Sequence, residues 1–171
     1  VDYKYHVVCT AKLPAVYITT ESGSMDAVHA DKSYKEAGTI RIYNEKGKTE
    51  YDGALDYIKG RGNSSWEMAK KPYNIKIAKK TNLFGMGKSK KWSLIANYSD
   101  NSHLRNAAVY YAAQQIGLDY TPKFVFCDVY TNGDYQGVYL LITRIEANSK
   151  RVDVANLDDV NEEIAIAASG N

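Results

Sequence analysis

Alternation of apolar and polar positions is the strongest regularity along the chain. At 39–43, Ile40 and Ile42 share one face. At 72–80, Tyr73, Ile75 and Ile77 face one way while Asn74, Lys76 and Ala78 face the other. A period of two predicts half-buried strands. Residues 3–9, 15–20, 51–59, 92–96 and 135–142 are further strand-like runs, and 124–130, apolar on both faces, reads as a central strand. Turn chemistry separates these runs: Gly47 suits a hairpin into 51–59, and Asn132-Gly133 is a type I′ hairpin signal. One segment changes period. Leu104, Ala107, Ala108, Tyr111 and Ala112 fall on one helical stripe, with Asp100, Ser99 or Asn101 as the cap and Gly117 past the end. Residues 21–36 are polar and predict a loop with one short helical turn; 83–87 predict an apolar turn, and 144–147 the start of a helical turn. The expected fold is α+β, a mostly antiparallel sheet with one long packed helix.

Composition refines this picture without changing it. A length of 171 residues suits a single domain with a real core, and 44% hydrophobic with 25% charged residues suits a soluble globular chain. No apolar run is long enough to span a membrane as a helix. The net charge is only +2, which excludes a generic nucleic-acid binder. Its distribution is uneven: between Lys59 and Lys91 ten lysines or arginines stand against one acid, Glu67, while from Arg151 onward five acids face one base. That asymmetry implies a directed field, with a solvated lysine face as the plain alternative. Fifteen tyrosines against three phenylalanines suit either strands or a wet binding surface. Cys9 and Cys127 predict buried free thiols, with one bridge between neighbouring strands as the alternative. His6, His29 and His103 have no spacing suggestive of a metal site or triad.

The candidate chemistry is concentrated between Lys59 and Asn106. Gly60 and Gly62 flank Arg61, whose planar fork of donors matches phosphate oxygens; a tight turn with a surface arginine is the rival reading. Lys76 projects from the polar face of its strand, and Lys70 and Lys71 stand where that strand begins. A lysine on a strand beside a Gly-rich turn is how several kinases grip phosphates. Arg105 lies near the start of the helix, either facing a site or pairing with Asp100. Asp128 inside a strand needs a partner if it is buried, whether a structural donor or a metal.

Taken together, PAVYITT, IKGRGNSSW, KKPYNIKI, LFGMG, KKWSLIANYSDNSHLRN and NGDYQGVYLL resemble the spore-coat protein H (CotH) kinase-like family over 14–154. The resemblance implies a remote, atypical protein-kinase-like fold of which this chain is the N-terminal portion, 1–171 being one incomplete domain. It implies a secreted enzyme that binds ATP with magnesium or another divalent metal and phosphorylates serine on partner proteins. Such modules belong to spore coats and extracellular cell-wall-degrading assemblies such as cellulosomes. Arg61, Lys70, Lys76, Asp100 and Arg105 fall on the family's polar motif positions. By analogy Lys70 or Lys76 holds phosphates and Arg105 braces the site.

Two departures qualify the resemblance. The family's Tyr-x-Leu-Thr-Glu is here YLLITRIE, so Thr143 stands at the glutamate position unless Glu146 serves. The family's metal and base carboxylates belong to a later part, and Asp153, Asp158 and Asp159 are too early to take those roles. The fragment is therefore expected to be inactive alone. The rival expectation is a non-catalytic scaffold or carbohydrate-binding module, with single-strand nucleic-acid binding weaker still.

Overall fold

The computed structural model describes residues 13–147 and 151–153. Seven strands, β1 (Ala15–Thr20), β2 (Glu36–Tyr43), β3 (Thr49–Gly60), β4 (Tyr73–Asn82), β5 (Lys88–Ile95), β6 (Phe124–Thr131) and β7 (Asp134–Thr143), accompany two helices, α1 (Asp26–Ala30) and α2 (Arg105–Gln115). The strands close into a barrel in the order β1-β2-β3-β4-β5-β7-β6. Every pairing is antiparallel except the closing one, in which β1 runs parallel to β6 with Ala15 opposite Asp128 and Ile18 opposite Thr131. The expected strand at 3–9 lies outside the described residues, as do Cys9, His6, Asp158 and Asp159.

Closure overturns the expected α+β architecture with a kinase-like sheet and long packed helix. Alternate residues of all seven strands turn inward, so the interior is filled by the barrel's own side chains and needs no helix to cover it. Val16, Ile18, Ile40, Ile42, Ile75, Ile77, Trp92, Leu94, Cys127, Val129, Tyr139 and Leu141 form that core. Closure also removes sheet edges, which would otherwise need protection from pairing with other chains. Gly38 marks how tightly β2 lies on β1: a Cβ there would sit 2.1 Å from the Thr19 carbonyl oxygen.

The helix is shorter and less buried than its stripe predicts. Its eleven residues bury only Ala107, and Leu104 and Tyr111 are exposed. Ala107 and Tyr110 instead lie on the outside of the barrel, in a second cluster with Leu140, Ile142, Ile95, Phe124 and Phe126. The outward-facing residues of β6 and β7 are apolar under α2, which explains why 124–130 reads as apolar on both faces. Leu104 is the residue before the helix, yet Asp100 still serves its start, accepting from the Arg105 amide at 2.8 Å. Gly117, at φ +69°, takes the left-handed position that ends the helix. Residues 144–147 are not helical; Ala147 forms an isolated parallel bridge with Val152.

Candidate functional site

The register of β3, β4, β5 and β7 sets which cations share a face. Ile58 and Gly60 are buried, so Lys59 and Arg61 turn outward; Tyr73, Ile75 and Ile77 are buried, so Asn74 and Lys76 turn outward. Lys76 stands opposite Tyr57 on one side and Lys91 on the other. One step beyond the Trp92–Thr143 pair, Arg144 reaches the level of Lys91. Between these cations, the Ser93 hydroxyl donates to Asn74 Oδ1 at 2.6 Å. Arg61, Lys76, Lys91 and Arg144 therefore belong to one outer face of the barrel, beside α2.

Two of those cations are neutralised and two are not. Lys76 Nζ lies 2.9 Å from Asp56 Oδ2, and Lys91 Nζ lies 2.8 Å from Glu146 Oε1. Asp56 holds the Lys76 ammonium above its ordinary value, first through the hydrogen bond and then through charge. Arg61 is half-buried, and burial lowers its guanidinium from the ordinary value; the Tyr110 phenol opposes this and the charge of Arg144 adds to it. Neither arginine forms a salt bridge with a carboxylate among the described residues. Arginines on one face without a carboxylate partner leave planar forks of donors available to an external anion.

The other sequence-predicted residues are engaged internally. Lys70 Nζ donates to the Val138 carbonyl and lies 4.4 Å over the Tyr139 ring, at the mouth of the barrel interior. Burial lowers its pKa, with Cys127 acting in the opposite sense. Lys70 therefore works on the inner side of the wall from Lys76. Arg105 pairs loosely with Asp100, Nε to Oδ1 at 3.7 Å, with its side chain 81% exposed. Asp100 also accepts from Ser102 Oγ at 2.7 Å. The pairing alternative for Arg105 thus describes its placement. Arg61 and Lys76 share the outer face, at the Pro72 level and further along β4 respectively; Lys70 and Arg105 do not join them.

Sequence reasoning missed Lys91, Arg144 and Asp56, whose roles depend on cross-strand rows. Glu146, considered only as a substitute carboxylate, pairs with Lys91 rather than with Lys76. Thr143 at the expected glutamate position is buried and accepts from the Lys123 amide at 3.0 Å. Asp128 is a satisfied structural carboxylate, accepting from Tyr135 at 2.7 Å. Cys127 is a free, buried thiol whose pKa burial pushes up to about 12. Among the described residues no group of three or more His, Cys, Asp or Glu gathers to hold a metal, and no helix is long and apolar enough to cross a membrane.

Fold and face together define a small closed β-barrel bearing an arginine- and lysine-rich outer surface beside one short helix. Residues 58–167 match the family described as CotH kinase protein, and the chain belongs to that family. The match takes in Arg61, Lys76, Lys91, Arg144 and Glu146, leaving β1, β2 and most of β3 before it. No curated protein matches the chain.

Proposed function

We propose that the outer face of β3–β4–β5–β7 grips the polyphosphate of a nucleotide, ATP in the family's activity, and that the chain is the phosphate-holding portion of a secreted, spore-surface kinase acting on serine of partner proteins. The single observation that carries this reading is the half-buried Arg61 on the same outer face as Arg144, with no carboxylate forming a salt bridge to either among the described residues. Desolvation strengthens the attraction of such a guanidinium for an anion. Lys76 lies alongside in a partly exposed ion pair with Asp56 that is displaced at modest cost, while Lys91 is held by the more buried Glu146. The residues present suit polyphosphate and do not suit the divalent metal, because the carboxylates of this face, Asp56 and Glu146, are each bonded to a lysine. Phosphoryl transfer needs cation and metal-holding parts together, so the chain alone is expected to bind without transferring.

The carbohydrate-binding alternative has less support. The tyrosines of β1, β2, β6 and β7 do form a ladder, but Tyr17 and Tyr130 stack on each other at 4.7 Å and Tyr130 and Tyr135 approach to 5.1 Å. Rings that cover one another offer fewer faces to a sugar.

Calorimetric titration with ATP, ADP and AMP tests the proposal. Affinity should fall in that order, and Arg61→Ala should weaken ATP binding about tenfold, roughly 1.4 kcal/mol, while Arg105→Ala leaves it unchanged. Absence of ATP binding at millimolar concentration would overturn the proposal, and a response to xylan or cellulose oligomers instead would favour the module reading.

A further inference from the structure

At one end of the barrel, a cavity of about 260 Å³ opens between the start of β5, the lead into β6 and the segment that follows β7. Three cations line it, Lys123, Arg144 and Arg151, together with Tyr120, Thr121 and Thr143; no carboxylate is among the lining residues. The guanidinium of Arg151 lies 4.9 Å over the Trp92 ring, and Nη1 donates to the Met86 carbonyl at 3.2 Å. Its Nε and Nη2 are buried and have no hydrogen-bond partner among the described residues, and the same holds for Trp92 Nε1. All three are donors. Among the described residues the acid that acts on Arg151 electrostatically is Glu146, already committed to Lys91.

Buried donors of a charged group without an acceptor are costly. An oxyanion taken up beside them accepts hydrogen bonds and brings negative charge to a lining that has none. Tyr120 and Thr143 add hydroxyl-bearing side chains to the same lining.

We infer that the cavity lined by Lys123, Arg144 and Arg151 is a second anion site, built for a phosphate-class oxyanion, free or esterified to a serine or threonine side chain. It is separate from the Arg61 end of the outer face and stands without the nucleotide reading. Arg144 borders both regions, so Lys123 and Arg151 are the residues that distinguish them.

Because Arg151 stacks on Trp92, the indole Nε1–H resonance of Trp92 reports occupancy. The full chain is titrated with inorganic phosphate and, separately, with O-phosphoserine, each against sodium chloride at matched ionic strength. Both phosphates should shift that resonance saturably in the millimolar range. Lys123→Ala, an exposed position whose loss leaves the core intact, should weaken both by about threefold or more, and Arg151→Ala should abolish the shift. Arg61→Ala should leave it unchanged. Tighter binding of phosphoserine than of phosphate assigns the site to an esterified group; equal binding assigns it to the free anion. A linear drift matched by chloride, or a saturable shift lost in Arg61→Ala but kept in Lys123→Ala, would overturn the inference.

Discussion

Two lysines six residues apart show how side chains of one type acquire unlike roles. Lys70, half-buried, has its ammonium on the Val138 carbonyl and against the Tyr139 ring. Lys76 sits on the outside of β4 with Asp56. Removing Lys70 leaves a carbonyl and an aromatic face without their cation, so Lys70→Ala should destabilise the chain by about 1–2 kcal/mol. Lys76→Ala removes a surface ion pair and should leave urea-unfolding stability unchanged, while reducing affinity for ATP. Were Lys70→Ala neutral to stability and damaging to ATP binding, the assignment of the two lysines would have to be exchanged. Nothing in local sequence separates them. Both precede or occupy the same basic strand, and only the inward placement of Tyr139 from β7 shows where Lys70 goes.

At the scale of elements, the start of α2 shows a motif that is legible in kind but not in position. The Asx chemistry around Asp100 predicts a cap, and the carboxylate does bind the Arg105 amide, but across a turn in which His103 adopts φ +58° before the helix begins. The hydrogen bond from Ser102, then that from the Arg105 amide, hold the Asp100 carboxyl below its ordinary value. A folded pKa below the unfolded one, about 3.9 for aspartate, adds stability that is complete above the unfolded value and is lost as pH falls through the folded one. The stability difference between the wild-type chain and Asp100→Ala should therefore be constant near neutrality and shrink below about pH 4. Urea unfolding as a function of pH reads this directly, and a difference that grows on acidification would contradict the cap. The stripe itself misled because helical spacing states which residues share a side of a helix, not how much of that side is covered. Here the outer barrel wall meets only Ala107 and Tyr110 closely.

At the scale of the whole molecule, strands were readable and their closure was not. Alternation marks each strand from its own residues, whereas the parallel β1–β6 pair joins segments more than a hundred residues apart and has no local signature. Asn132 illustrates the division. Its role in the hairpin turn, φ +52° ahead of Gly133 at φ +92°, follows from the Asn-Gly pair. Its side chain also accepts from the Thr20 amide at 2.9 Å, and its own amide donates to Ile18 at 2.8 Å, latching β7's turn to β1. The site inherits the same limit: Arg61 and Lys76 stand out in sequence, but Arg144 and Lys91 join them only through rows across the closed wall. A face made of cations, with its two carboxylates already paired, has a distinctive thermodynamic consequence. Free ATP carries more negative charge than its magnesium complex, so magnesium should weaken binding to this chain rather than support it, and added salt should weaken it further by screening. Calorimetry with ATP at constant ionic strength, with and without magnesium chloride, gives the comparison. Affinity that appears only with magnesium would mean that Asp56 or Glu146 abandons its lysine for the metal, and the outer face would then be a metal-nucleotide site rather than an anion grip.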